Sequence, residues 1–198
     1  MAESIREPKQ KRSIEKKQRI IDAGYTLFAE KGYFNTNTAE IAKLAGVSTG
    51  IVYGYFHDKR DILLEAMEIY IKNVFTPIFS LFDGIESLDF QKILISAIDL
   101  VIRAHRSNAA MHTTLHALSS EDDLVAGRFA ALEEEMTKSI SDRLAELGYP
   151  KTALYEKVHA AMGLIQSLAH EEVYDQHAYI DYAVMRDLVT EMLVKLFV

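Results

Sequence analysis

The stretch Thr38–Lys59, TAEIAKLAGVSTGIVYGYFHDK, constrains this 198-residue chain more than any other part of it. Its apolar spacing reads as two short helices held around a tight turn. Thr38 is placed to cap a helix whose inward residues are Ile41, Ala42, Leu44 and Ala45. Gly46 ends that run at the left-handed backbone position that favours glycine, and Val47 plugs the turn. Ser48 is placed to cap a second helix. In it Val52 and Phe56 fall four apart on one apolar face, while Thr49 and Tyr53 fall four apart on another. One face packs, and the other is left free.

Two such helices, the first crossing a nucleic-acid backbone and the second entering a major groove, form the helix-turn-helix design. The overall charge of −7 looks wrong for such a partner, but it is unevenly spread. Residues 1–60 carry 11 Lys and Arg against 7 Asp and Glu, whereas the remainder carries 11 against 22. A basic head on an acidic body is expected if the head alone meets phosphate. The chain lacks cysteine, which excludes a disulfide framework and a thiolate metal site and suits a reducing, cytoplasmic setting. Its first 17 residues are charged rather than apolar, and no run approaches the roughly 20 apolar residues of a bilayer span. The expectation is a soluble protein without a signal peptide and without a membrane partner.

The string Thr38, Ile41-Ala42, Ala45-Gly46-Val47-Ser48, Gly50, Tyr53, Tyr55-Phe56, Lys59 and Leu63, at these offsets, resembles the TetR family of bacterial transcriptional regulators. The motif covers about the first third of the chain. The resemblance implies a homodimeric DNA-binding regulator, a repressor released from its operator by a small-molecule effector bound in the C-terminal body. Thr38, Ser48, Thr49, Gly50, Ile51, Tyr53, Tyr55 and Lys59 are the expected DNA-facing residues. Thr38 and Lys59 suit phosphate, and Thr49 suits a base edge. Ile51 suits a thymine methyl, and Gly50 permits close backbone approach. Ala39, Ile51 and Gly54 depart from the family's more polar or aromatic pattern, so fewer direct base contacts are expected. A basic arm, residues 1–12 with Arg6, Lys9, Lys11 and Arg12, is expected to supply part of the affinity.

Punctuation along the chain is helical throughout. Ser13 is a plausible cap for a first helix that runs to about Lys31 and stops at Gly32; Asp58, with Asp61 three residues on, suits the cap of a fourth. Further breaks fall at Asp83-Gly84, Ser87, Ser120 with Asp123, and Gly148-Tyr149-Pro150; two long apolar-striped segments follow. An all-α chain of about nine helices is expected. Its parts are a flexible arm over 1–12, a three-helix helix-turn-helix domain over 13–57, and a regulatory and dimerisation domain over 58–198.

The last two segments offer stripes for pairing with a second copy: Val158, Met162, Ile165 and Ala169 on one, Met185, Leu188, Met192 and Leu196 on the other. Tyr70, Phe75, Phe79, Met111, His112, His116, Phe129, Met136 and Gln166 are candidates to line an effector cavity, although core packing is the simpler role for each. His112 and His116 share a helix face. With His170, Glu171 and Glu172 they could hold a metal, the basis of an alternative reading as a helical metal-dependent enzyme. That reading lacks a nucleophile motif, a phosphate loop and an HExxH run, so no cofactor, no bound metal and no catalytic residue are expected. A third reading keeps the DNA-binding head and makes the body a docking surface for another protein.

Overall fold

The computed structural model describes residues 10–84 and 88–198, with the backbone alone at Phe75 and Thr76. Most of the expected arm, the Ser87 helix start and the side chain of Phe75 lie outside the described residues. The elements are α1 (Lys11–Lys31), α2 (Thr38–Ala45), α3 (Thr49–Tyr53), α4 (Lys59–Phe79), a 3-10 turn (Ser80–Phe82), α5 (Phe90–Ser107), α6 (Ala109–Ser119), α7 (Asp123–Glu146), α8 (Leu154–Tyr174) and α9 (Tyr182–Phe197). Among the described residues there is no strand, as the helical punctuation predicts. None of the described helices is long and apolar enough to cross a membrane.

Packing divides the described residues into two compact units. One holds those up to Ile71 together with Asn108–Arg128; the other holds those of Lys72–Ser107 and Phe129–Val198. In the first unit α1 packs on α2 and α6, burying Ile20, Ile21, Leu27 and Phe28. Against them lie Ile41, Val52 and Phe56 from the motif, and Ile62, Leu63, Ala66 and Met67 from α4, all essentially withdrawn from water.

Gly24 is a packing requirement rather than a turn. A Cβ built there would sit 2.4 Å from Ile62 Cγ2, well inside contact distance. Alanine would gain roughly 1 kcal/mol of helix propensity, but overpacking at a buried helix crossing costs about 1–3 kcal/mol. A Gly24→Ala variant is therefore expected to be destabilised by up to about 2 kcal/mol in urea denaturation. A variant as stable as the parent would show that α1 and α4 separate freely there.

Several local expectations are corrected by the geometry. α1 starts at Lys11 with Gln10 as its N-cap, so Ser13 is no cap; its Oγ lies 2.6 Å from the Tyr55 hydroxyl. The cap of α2 is Asn37, not Thr38. Asn37 accepts from Glu40 N at 3.0 Å, and the Glu40 carboxylate accepts from Asn37 N at 3.3 Å, a closed capping box. Leu44 faces outward at 54 % exposure, because the turn after α2 leaves only Ile41, Ala42 and Ala45 beneath the helix. Ser48 is the N-cap of α3 by position, yet its side chain makes no capping bond. At α4 Asp58 accepts from Arg60 N at 2.7 Å and Asp61 N at 3.2 Å, as expected, while Asp61 turns back to His57 N at 2.8 Å instead of to Asp58.

α6 is tied into the first unit by side-chain pairs. Tyr25 donates to Asn108 Oδ1 at 2.6 Å, the Tyr70 hydroxyl and His112 Nδ1 are hydrogen-bonded at 2.8 Å, and Arg60 pairs with Asp122.

In the second unit α5 packs on α8 and α9 around Leu94, Ile98, Val101, Ile165, Leu168 and Leu193. One charged group penetrates this core. Glu172 on α8 is only 3 % exposed and its carboxylate receives Arg186 Nε of α9 at 2.6 Å and Arg106 Nη2 of α5 at 2.8 Å. Arg186 also reaches Asp99 of α5 at 3.3 Å. Three helices are thereby held in register around one carboxylate. Tyr174, whose phenol burial pushes up to about 12, donates to the His105 carbonyl at 2.9 Å and remains a donor at neutral pH.

Candidate nucleic-acid interface and ligand cavity

The motif builds its outward face from local rules. Gly46 adopts φ 68°, ψ 37°, the left-handed geometry expected of it, and its N–H bonds back to Ala42 and Lys43 carbonyls. The turn it makes brings α3 out with Val52 fully buried beneath and Ser48, Gly50 and Tyr53 exposed above. Thr49 and Ile51 are half-buried at the edges of that face. The Thr38 hydroxyl, in the first turn of α2, lies 3.0 Å from the Tyr53 hydroxyl. Two hydroxyls and the free N–H groups of a helix start are thus gathered beside α3, an arrangement suited to a phosphate.

Gly50 is informative because nothing inside the protein requires it: a Cβ there would meet no atom within 4 Å. Gly54 differs, since its Cβ would lie 3.3 Å from the Ile51 carbonyl. α3 itself ends at Tyr53, earlier than the Val52–Phe56 spacing suggests, and turn bonds such as Phe56 N to Val52 O at 3.0 Å carry the chain on to Phe56.

Two of the expected DNA-facing residues are placed differently. Tyr55 is buried, with its hydroxyl held by Ser13, so it belongs to the core of the head. Lys59 extends its amine back into the turn after α1, donating to the Tyr33 carbonyl at 2.8 Å and the Thr36 carbonyl at 2.9 Å, 4.3 Å from the centre of the Tyr33 ring. Burial holds its pKa below the ordinary lysine value. Thr36, which sequence reasoning passed over, is itself buried and donates to the Gly32 carbonyl at 3.0 Å. A buried threonine in a polar run carries no periodic signal, and neither does the reach of a lysine to carbonyls more than 20 residues away.

In the second unit a cavity of about 80 Å³ lies between α5, α7, α8 and the end of α9. Phe90, Leu94, Ala97, Val158, Ile165 and Phe197 form much of its wall, and among the described residues Gln166 is the one polar side chain lining it. Of the expected effector residues whose side chains are described, Gln166 alone lines it. Met136 is core of the same unit and Phe79 packs against that core; Phe129 is half-buried. Tyr70, Met111 and His112 are buried in the first unit, and His116 is exposed.

The expected pairing stripes also divide. Val158, Ile165 and Ala169 are buried within their own unit, and Met162, Met185 and Leu196 pack partly against the same core. Leu188 and Met192 stay outside, 55 % and 59 % exposed, joined by Val184 at 54 %. The His112 and His116 rings lie tilted by 43° with centroids 4.1 Å apart, Glu172 is committed to arginines, and no group of three or more His, Cys, Asp or Glu able to hold a metal occurs among the described residues.

A short helix set outward by a left-handed glycine turn, beside a capped helix crossing beneath it, defines a helix-turn-helix DNA-binding protein. Residues 20–66 match the family model described as bacterial regulatory proteins, tetR family. Over 60 residues the chain is 47 % identical to the HTH-type transcriptional regulator HbdR of Aromatoleum sp. (strain CIB), covering 30 % of this chain and 24 % of that protein. It is 40 % identical, again over 60 residues, to the HTH-type transcriptional regulator AcrR of Shigella flexneri, covering 30 % of this chain and 28 % of that protein. These matches span about a quarter of the relatives' own length. The fatty acid degradation regulator FadR from Bacillus halodurans shares the fold across 94 % of this chain and 96 % of its own, with a TM-score of 0.64 at 20 % identity. Residues 20–66 thus carry the region that characterises bacterial regulatory proteins of the tetR family.

Proposed function

We propose that the protein is a homodimeric transcriptional repressor that binds operator DNA through α2 and α3 and is released by a small molecule held in its second unit. The observation that carries the reading is the outward face of α3. Ser48, Gly50 and Tyr53 stand above a fully buried Val52, with Thr49 half-buried at the edge, and Gly50 has no internal reason to be glycine. Close approach of another backbone is such a reason. Thr38 and Tyr53 then hold phosphate, and Thr49 and Ile51 meet base edges, with Ser48 at the entry to the groove. The exposed Val184, Leu188 and Met192 on α9, and Gly163 on α8 where a Cβ would meet nothing, support pairing with a second copy. α4 and α7 each have residues in both units and are covalent routes by which effector binding reaches the head. A cytoplasmic location follows from this reading.

Selection of the full-length protein on random double-stranded DNA tests it. A palindromic site with half-sites about one helical turn apart is expected, and failure to enrich any sequence would end the proposal.

The basic N-terminal residues contribute to that binding. Deleting residues 1–12 is expected to weaken operator affinity and flatten its salt dependence. Because α1 begins at Lys11, the paired change Lys11→Gln with Arg12→Gln separates lost charge from lost helix. It should reduce the slope of log affinity against log salt by up to about 2, near 0.9 per phosphate contact. An unchanged slope in fluorescence-anisotropy titrations would remove these residues from the interface.

A further inference from the structure

The cavity of the second unit has a chemistry specific enough to name its occupant. Among the described residues that line it none is charged, and Gln166 is the single polar side chain. The Gln166 amide makes no hydrogen bond among the described residues, although it is half-buried. An amide without an internal partner beside an apolar wall is free to pair with a ligand.

The cavity is also elongated and has distinguishable ends. Along α8 its wall runs from Val158 to Gln166, about 12 Å of helix rise, and along α5 from Phe90 to Val101, about 16 Å. One end is closed by aromatic rings: Phe90 and Phe197 stack with centroids 4.9 Å apart, and Tyr149 meets Phe90 edge-on at 5.2 Å. Around that space Lys157 is engaged with the Tyr149 hydroxyl at 2.9 Å and Arg143 with the Phe82 carbonyl at 3.1 Å, and neither lines the cavity. An ionised head group entering this space would lose its water without gaining a counter-charge.

We infer that the effector is an uncharged, elongated amphipath, an alkyl chain bearing one neutral hydrogen-bonding group, whose chain lies along α5 and α8 and whose polar group meets the amide of Gln166. This rests on the reading that the second unit holds the effector site.

The test uses the full-length protein and three probe series: n-alkan-1-ols from hexanol to dodecanol, the n-alkanoates of equal length, and the matching n-alkyltrimethylammonium ions. Affinity is read by isothermal titration calorimetry, and operator release by fluorescence anisotropy on the selected DNA. For the alkanols, affinity should rise about four-fold per methylene until the cavity is filled. At equal length the two charged series should bind about ten-fold more weakly or worse. Gln166→Leu, similar in volume, should weaken alkanol binding about three- to ten-fold while the dependence on chain length persists. The series on the unmodified protein decides the matter even if the variant does not fold. Flat chain-length dependence, or tighter binding of carboxylate or ammonium than of alcohol, overturns the inference. Alkanols that bind as described but leave the operator complex intact would support the ligand class and overturn the regulatory reading. Release by a charged probe while alkanols fail to bind would do the reverse.

Discussion

Replacing Arg186 by methionine is expected to destabilise the second unit by about 3 kcal/mol, because it withdraws the principal partner of a carboxylate that is almost completely buried. Loss of one member of a buried pair costs about 3–5 kcal/mol in general. The lower end applies here, since Arg106 remains within 2.8 Å of Glu172 and is itself more than half exposed, so it can follow the carboxylate toward water. For a chain of this size each kcal/mol lowers Tm by about 2–4 °C, so thermal unfolding followed by circular dichroism should shift by roughly 6–12 °C. Changing both partners, Glu172→Leu with Arg186→Met, removes the stranded charge as well as its partner and should recover most of that loss. A single variant within 1 kcal/mol of the parent would mean that Glu172 escapes to solvent. The network would then not be what holds α5, α8 and α9 in register.

Lys59→Met is expected to lower the stability of the head by about 2 kcal/mol and to weaken operator binding with it. Hydrogen bonds from a charged donor contribute about 1.5–3 kcal/mol each, and Lys59 makes two, to Tyr33 and Thr36. Against them stands the burial that depresses its pKa, which is why the net falls below the sum. The carbonyls it holds belong to the turn that leads directly into α2, so releasing them displaces Thr38 and the start of that helix. This differs measurably from a lysine that touches DNA. A phosphate contact removed would lower the salt slope of binding by about 1, whereas loss of a strut lowers the unfolding midpoint and leaves the slope alone. A normal midpoint with a reduced slope would return Lys59 to the DNA-facing set.

Those two predictions sit on features of unequal legibility. The glycine turn at Gly46, the helix stops at Gly32 and Gly148 and the Asp58 cap were readable because each depends on residues within one helical turn of itself. Asn37 was missed as the cap of α2 because Asn37 and Thr38 are adjacent and both are good capping residues; only the capping box with Glu40 separates them. Leu44 was misplaced because an apolar residue on a short helix satisfies more than one face of the 3.6 period. Among the candidate effector residues, Tyr70, Met111 and His112 are buried in the first unit, whereas Gln166 lines the cavity of the second. Nothing in the spacing of an aromatic or methionine distinguishes a cavity wall from solid core.

Helix content, the order of the elements and the presence of a DNA-binding head were therefore present in the chain as written, since short-range patterns and a motif at fixed offsets carry them. The direction in which each long helix turns its several apolar sides was not. α8 buries Val158, Ile165 and Ala169 but leaves Tyr155 and Gly163 outside, and α9 buries Val189 and Leu193 but leaves Leu188 and Met192 outside. That choice, the reach of Lys59, the clustering of arginines on Glu172 and the apolar space beside Gln166 all arise where residues far apart in the chain meet. Packing among distant side chains minimises exposed apolar area for the whole unit at once, and no local window contains the terms of that sum.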